Sequence, residues 1–205
     1  MIDAPIKVIK NFVSEEELQT MIEYIDLLEG TISDKFIKWQ EDKRLALQFG
    51  VDFCHPKSSH PDLQLLSDKK EEIDSYFSGV IKTMRATFDV PNELYMSSFW
   101  LAKQYPGAVV AQHEDTDSGY NMHYKYSAVL YLNTMAEGGE LIFYKYDHKH
   151  RPDAGDLVIF PSQETGMHGV EEISEVRYSL VFWMTDDQSL SIGAATRKED
   201  DGKEA

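Results

Sequence analysis

The apolar positions of the first 90 residues follow helical spacing in two segments. Ser14-Glu15-Glu16-Glu17 has the form of a capping box, with a glutamate three residues after a serine. Gly30 is expected to end the helix that follows, whose apolar face consists of Leu18, Met21, Ile22, Ile25 and Leu28. A second helix is predicted over residues 68–88, with an apolar face of Ile73, Phe77, Val80, Ile81 and Met84.

After Pro91 the pattern changes to short apolar segments that are separated by turn residues such as Pro106-Gly107 and Gly138-Gly139. The predicted strands span residues 97–104, 127–133, 140–144, 156–160 and 177–185. Residues 31–62 are interpreted as short strands and a long loop. Helices first and short strands afterwards indicate a mainly β, α+β domain, a β-sandwich braced by N-terminal helices.

The chain length of 205 residues and a hydrophobic content of 42% fit one globular domain. We place this domain at residues 1–190, with helical support mostly within 12–90 and the β core at about 91–186. Residues 191–205 form a charged, acidic tail with few apolar positions, and this tail is predicted to be disordered.

The charge balance argues against several kinds of partner. A formal net charge of -16 opposes binding to nucleic acid and to anionic membranes, because both require positive charge. The first residues lack the features of a signal peptide, and the longest apolar run, Leu180 to Met184, is too short to span a bilayer. Cys54 is the single cysteine, so no internal disulfide is expected. These features predict a cytoplasmic protein; the oligomeric state is left open.

The most informative chemical pattern is His113 and Asp115, followed by His168 and Arg177. Two imidazoles and one carboxylate can cover one face of a ferrous ion and leave the opposite face open. Residues two apart on an extended segment point the same way, so His113 and Asp115 can bind the same metal ion. Arg177, in an apolar run, is suited to hold a small dicarboxylate. Zinc also accepts these ligands, but a zinc hydrolase would leave the arginine without a role.

Other histidines are interpreted as structural. His60-Pro61-Asp62 repeats the His-x-Asp spacing, but it leads into a helix and is read as a loop and helix cap. Asp147-His148-Lys149-His150 lies among basic residues and is read as a solvated turn. His55 and His123 have no partner at a useful spacing.

The stretch from Tyr105 to Trp183 resembles the catalytic core of Fe(II)/2-oxoglutarate-dependent dioxygenases, in particular the prolyl 4-hydroxylase branch. The matching segments are Gln104-Tyr105-Pro106-Gly107, His113-Glu114-Asp115, Val129-Leu130-Tyr131-Leu132-Asn133, Glu137-Gly138-Gly139-Glu140-Leu141, Gly155-Asp156-Leu157-Val158-Ile159-Phe160-Pro161, His168-Gly169-Val170 and Arg177-Tyr178-Ser179.

The resemblance implies a double-stranded β-helix, a jelly-roll or cupin-like core, with His113, Asp115 and His168 as iron ligands. It implies that Arg177 binds the distal carboxylate of 2-oxoglutarate bidentately, as a guanidinium does. The remaining cofactor-pocket residues expected on this basis are Tyr105, Ser127, Tyr131, Ser179 and Trp183. The implied cofactors are Fe(II), the co-substrate 2-oxoglutarate and dioxygen, with ascorbate as a candidate reductant.

Three functional hypotheses follow. The first is hydroxylation of a C–H bond in a peptide or protein, with peptidyl-proline 4-hydroxylation favoured and residues 31–62 as a candidate substrate lid. The second keeps this chemistry but acts on a free amino acid or another small metabolite. The third is a non-enzymatic jelly-roll binding module that retains a metal. Repair of alkylated nucleic acid is disfavoured by the acidic charge.

Overall fold

Two antiparallel sheets and two long helices account for most of the described protein. The structure, a computed structural model, describes residues 4–32, 37–39, 44–49, 70–91, 93–116 and 121–192, with only the backbone for the two short segments 37–39 and 44–49. Most of the expected loop and lid at 31–62, both His55 and His60-Pro61-Asp62, and nearly all of the expected tail therefore lie outside the described residues.

The first helix, α1 (Glu15–Ile32), begins at the predicted capping box. The backbone N–H of Ser14 donates to Glu17 at 2.7 Å, and the backbone N–H of Glu17 donates to the Ser14 hydroxyl at 3.3 Å. The prediction that Gly30 ends the helix is wrong, because α1 continues to Ile32. A glycine inside a helix costs only about 1 kcal/mol, and the Thr31 hydroxyl donates to the Leu27 carbonyl in the last turn.

The second predicted helix is confirmed as α2 (Lys70–Phe88). The apolar faces of both helices pack on one face of the larger sheet, in a core that includes Met21, Ile25, Val80, Met84 and Phe182. None of the helices in the described ranges is long and apolar enough to cross a bilayer.

Seven strands form the larger sheet, in the order β1-β9-β6-β11-β4-β3-β2, and all neighbouring strands are antiparallel. Their bounds are β1 Lys7–Ile9, β2 Ile37–Trp39, β3 Arg44–Phe49, β4 Tyr95–Gln104, β6 Tyr126–Tyr131, β9 Leu157–Pro161 and β11 Arg177–Thr185. The smaller sheet has the order β5-β10-β7-β8, with β5 Val110–His113, β7 Leu141–Phe143, β8 His148–His150 and β10 His168–Val170. A short helix, α3 (Ser162–Thr165), follows β9.

The five predicted strands are present, with bounds that differ by up to two residues at each end. β1, β5, β8 and β10 were not predicted, because segments of three or four residues carry too little periodicity to be recognised. A second core lies between the sheets, where Val129 and Phe160 of the larger sheet pack with Leu141, Phe143 and Val170 of the smaller one. Two facing antiparallel sheets with helices on one side confirm the predicted α+β double-stranded β-helix.

Alternation along β11 separates the two faces of the larger sheet. Leu180, Phe182 and Met184 belong to the helix-covered core, whereas the intervening residues face the smaller sheet. The same strand therefore supports the helices with one set of side chains and lines a cavity with the other.

The interpretation of residues 147–150 as a solvated turn is wrong for the second histidine. His150 ends β8, is buried, and places its Nε2 3.1 Å from Oδ2 of Asp156, which also accepts a hydrogen bond from Lys10 at 2.8 Å. Pairing of β8 with β7, which no local pattern indicated, turns this side chain inward.

Candidate metal and cofactor site

A cavity of about 380 Å³ opens between the two sheets. Its floor is the inner face of the larger sheet, and the smaller sheet contributes His113 and His168. Along the floor the lining changes from polar residues near Arg177 to aromatic residues near Trp183. The cavity has three parts, which are a triad of ligand-type residues, a polar end and an aromatic end.

The triad is His113, Asp115 and His168, and one ligand atom from each lies within 4.8 Å of the others. His113 and His168 are directly paired on β5 and β10, which places their imidazoles side by side with ring centroids 4.5 Å apart. Asp115 lies in the turn just beyond β5 rather than on the strand, yet its carboxylate still faces both rings. His168 lies beside His113 because β10 pairs with β5 in the folded protein.

Both imidazoles are oriented by backbone carbonyl groups. Nδ1 of His113 lies 2.9 Å from the Ala111 oxygen, and Nδ1 of His168 lies 3.1 Å from the Gly166 oxygen. Because a carbonyl oxygen only accepts, each Nδ1 carries the hydrogen, and each neutral ring keeps its lone pair on Nε2. The two Nε2 atoms lie 3.7 and 3.6 Å from Oδ1 of Asp115. Two nitrogen lone pairs and one carboxylate oxygen thus converge, which is the donor set that ferrous iron accepts.

Asp115 is held in its ionised form. Burial alone would raise the pKa of this carboxyl, but the neighbouring imidazoles and the hydroxyl of Ser127 outweigh it and lower the pKa. Ser127 donates to Oδ2 at 2.5 Å, and a second hydroxyl, from Ser162, lies 2.8 Å from Ser127. The hydroxyl fixes the carboxylate rotamer and leaves Oδ1 directed at the histidines.

Arg177, Gln104 and Ser179 line the polar end of the cavity, and the ring of Tyr131 packs against the guanidinium behind them. Arg177 is buried, its Nη1 donates to Oε1 of Gln104, and its Cζ lies 4.9 Å from the centre of the Tyr131 ring. Three buried polar atoms here have no hydrogen-bond partner within the described ranges: Nε of Arg177, Oγ of Ser179 and the hydroxyl of Tyr131. Buried donors are normally satisfied, so the Nε of a guanidinium and two hydroxyls without partners fit a carboxylate ligand.

The aromatic end consists of Trp100, Trp183 and Tyr124. The two indoles meet edge to face with ring centroids 5.0 Å apart, and Tyr124 stacks on Trp183 at 5.7 Å. Nε1 of Trp183 is buried with no hydrogen-bond partner in the described part of the chain. Such a surface suits a compact apolar group, because aromatic faces provide a large contact area without a strong demand for polar partners.

Of the expected cofactor-pocket residues, Arg177, Ser127, Ser179 and Trp183 line the cavity, and Tyr131 lies directly behind Arg177. Ser127 contacts Asp115 rather than the polar end.

Tyr105, also expected in the cofactor pocket, lies outside the lining of the cavity. Its hydroxyl donates to Glu29 of α1 at 2.6 Å. Gln104 faces the cavity, so the next residue faces the helix, beside Lys103, whose ammonium also contacts Glu29.

Gln104, Trp100 and Tyr124 were missed by sequence reasoning. For the two residues of β4 a signal existed, since Trp100, Ala102 and Gln104 alternate on one face of a predicted strand. For Tyr124, in a loop before β6, no such signal exists.

Residues 99–185 match the family described as the 2OG-Fe(II) oxygenase superfamily. Among curated proteins, none matches this chain by sequence. The fold is similar to that of a Pseudomonas putida prolyl-4-hydroxylase, with a TM-score of 0.61 and 18% identity over 89% of this chain and 93% of that one.

Two further solved structures share the fold. An oxidoreductase of the 2OG-Fe(II) oxygenase family from Burkholderia pseudomallei has a TM-score of 0.64 at 14% identity, over 93% of this chain and 87% of that one. A prolyl hydroxylase from Trichoplax adhaerens, in complex with a hypoxia inducible factor oxygen degradation domain peptide fragment, has a TM-score of 0.61 at 17% identity, over 90% and 84%. Residues 99–185 therefore match the 2OG-Fe(II) oxygenase superfamily, and the fold is like that of prolyl 4-hydroxylases.

Proposed function

We propose that this protein hydroxylates a C–H bond of a peptidyl prolyl residue, with His113, Asp115 and His168 as the iron ligands and Arg177 as the anchor for 2-oxoglutarate. The observation that carries the proposal is the convergence of the three ligand atoms within 4.8 Å, on the wall of a cavity whose far end holds a buried guanidinium. The match of residues 99–185 to the 2OG-Fe(II) oxygenase superfamily supports an oxidoreductase that uses Fe(II), 2-oxoglutarate and dioxygen.

When bound, the metal and 2-oxoglutarate supply the oxidising chemistry: dioxygen is consumed, the keto acid leaves as succinate and carbon dioxide, and a substrate C–H becomes C–OH. The chain's own residues position and isolate this reaction. His113 and His168 present their Nε2 lone pairs because both Nδ1 hydrogens are engaged by carbonyl groups. Asp115 supplies the negative charge that a divalent ion requires, and Ser127 keeps its free oxygen turned inward.

The polar end would bind the distal carboxylate of the keto acid. Arg177 offers two parallel N–H groups to a carboxylate, and only 4% of its surface is exposed to solvent. Burial raises the pKa of the Tyr131 phenol, which remains a neutral hydroxyl able to donate. A charge-assisted pair in such an environment is stronger than at a protein surface, because water screens it less.

Prolyl substrates are favoured by the aromatic end and by the similar folds. The pyrrolidine ring is small, uncharged and apolar, which fits a wall of Trp100, Trp183 and Tyr124. The Trichoplax adhaerens prolyl hydroxylase, similar in fold, is described in complex with a peptide fragment. The net charge of -16 would further attract a peptide with basic flanks. A bare binding module has no use for a converging ligand triad and a buried arginine in the same cavity.

The decisive experiment is a succinate-release assay with Fe(II), 2-oxoglutarate and ascorbate, across proline-containing peptides, free proline, other amino acids and small metabolites. We expect peptides to stimulate succinate release, and mass spectrometry to find one added oxygen on a prolyl residue. Stimulation by free proline alone would replace the peptide proposal with a small-molecule one. Absence of succinate under every condition would contradict the enzymatic proposal.

The roles of the ligands are tested by replacing each of them with alanine. His113→Ala, Asp115→Ala and His168→Ala are each expected to abolish succinate formation, because two remaining ligands hold a divalent ion poorly. Asp186→Ala is the matched control, since it removes a solvent-exposed carboxylate outside the cavity. A triad variant with native activity would remove that residue from the metal site.

A further inference from the structure

Gln104, at the polar end, bonds directly to the Arg177 guanidinium. The two are paired across β4 and β11, each is only 4% exposed, and the amide side chain lines the cavity. Because a guanidinium only donates, the oxygen of the amide must be the atom that faces Nη1.

This contact decides which part of Arg177 remains for a ligand. A guanidinium can receive a carboxylate on the edge formed by Nε and Nη2 or on the edge formed by Nη1 and Nη2. Gln104 engages Nη1, whereas the buried Nε has no partner within the described ranges. The Nε edge, formed by Nε and Nη2, is therefore the one that can donate to both oxygens of a carboxylate.

Two neighbours keep the arginine from turning to its other edge. The ring of Tyr131 covers the guanidinium, with its centre 4.9 Å from Cζ. Rotation of the guanidinium would lose the hydrogen bond to the Gln104 oxygen, which is costly for a buried charged group.

We propose that Gln104 is a positioning residue that presents the Nε edge of Arg177 to the distal carboxylate, and thereby selects the chain length of the oxo diacid. The inference rests on the proposed function. The triad and the guanidinium are both held by fixed contacts, so the separation between them accepts one length of diacid best. Without Gln104 the guanidinium can turn, the separation becomes adjustable, and shorter or longer diacids are tolerated.

The test compares binding of three oxo diacids to manganese-substituted protein by calorimetry, which needs no turnover. The ligands are 2-oxoglutarate, the shorter oxaloacetate and the longer 2-oxoadipate. Gln104→Met keeps the length and burial of the side chain but removes the acceptor. We expect it to weaken 2-oxoglutarate about tenfold, the effect of one hydrogen bond to a charged group. The affinities for the other two diacids should change by less than about threefold on the same reasoning, so the preference for 2-oxoglutarate over them narrows.

Gln104→Glu separates positioning from affinity. A glutamate keeps an oxygen for Nη1 and so preserves the edge, while its negative charge repels every diacid. It is expected to weaken all three ligands by a similar factor and to leave their ranking and spacing unchanged. Gln19→Met, at an exposed glutamine on α1, is the matched control and should bind all three diacids as the native protein does.

The outcomes are distinguishable. Equal weakening of all three diacids by Gln104→Met, or no weakening at all, would overturn the role of Gln104 while the proposed function stands. A native protein that binds none of the diacids would overturn both. Melting temperatures near that of the native protein show that the variants fold, and if Gln104→Met does not fold, a loss of preference in Gln104→Glu overturns the inference.

Discussion

Removal of the Ser127 hydroxyl tests how Asp115 is held. Ser127 is only 1% exposed, and its hydroxyl donates to Oδ2 of Asp115 at 2.5 Å. In Ser127→Ala the carboxylate loses this donor and can rotate, so that Oδ1 no longer faces the two histidines. We expect weaker metal binding, with the fold retained because the substitution removes only one oxygen atom from the core.

The magnitude follows from the contact. A hydrogen bond to a charged group contributes about 1.5–3 kcal/mol, and about 1.4 kcal/mol corresponds to a tenfold change in an equilibrium constant. The expected loss of metal affinity is therefore roughly 10- to 100-fold, in the range found when groups that orient metal ligands are replaced. Calorimetric titration of Mn(II) into the protein measures the dissociation constant directly.

Ser97→Ala is the control for this prediction. Ser97 is also buried, but its hydroxyl lies 2.8 Å from His123 and donates to the Leu190 carbonyl, outside the triad. It should lower the melting temperature without changing the affinity for Mn(II). If Ser127→Ala binds Mn(II) as tightly as Ser97→Ala does, the hydroxyl does not orient Asp115 and the reasoning fails.

Three further predictions concern stability. Phe182→Ala, at a fully buried ring, should lower the free energy of unfolding in urea by about 3–5 kcal/mol; a loss under 1 kcal/mol, far below that range, would show a loosely packed core. Gly138→Ala should destabilise by at least about 1 kcal/mol, since Gly138 has φ +70° and a Cβ there would lie 2.3 Å from the Glu172 carbonyl oxygen, whereas Gly30→Ala, with open space around it, should not destabilise. Burial chiefly lowers the pKa of His150, so the unfolded chain binds more protons than the folded protein and stability falls as the pH drops below about 6.5. Between pH 7 and pH 5 the melting temperature of His150→Gln should therefore fall less than that of the native protein. An equal fall in both proteins would contradict this role.

Local patterns predicted the elements that are long or chemically distinctive. The capping box at Ser14 and the strand at 177–185 were recognisable because their signals lie within a few consecutive residues. The same holds for His113 and Asp115, whose spacing alone allows both side chains to bind one metal ion. His168 and Arg177 also stood out by residue type, and resemblance to a known family gave them their roles although they stand far from the first two along the chain.

Local patterns do not predict contacts between residues that are far apart in the chain. Alternation tells which residues of β4 share a face, but it does not tell that β4 lies beside β11 or which register pairs Gln104 with Arg177, 73 residues away. For that reason Tyr105 was expected in the cavity and lies against Glu29, and Ser127 was expected at the cofactor and holds Asp115.

The sequence by itself determined which reactive groups this protein carries, the two long helices and the main strands, because these depend on residue type and on spacing along the chain. The tertiary structure alone decided which atoms of those groups meet. Sheet order and register bring His168 beside His113, direct His150 inward, and leave the Nε edge of Arg177 without a protein partner in the described ranges. These are relations between strands far apart in the chain, set by the packing of both cores, and no short segment encodes them.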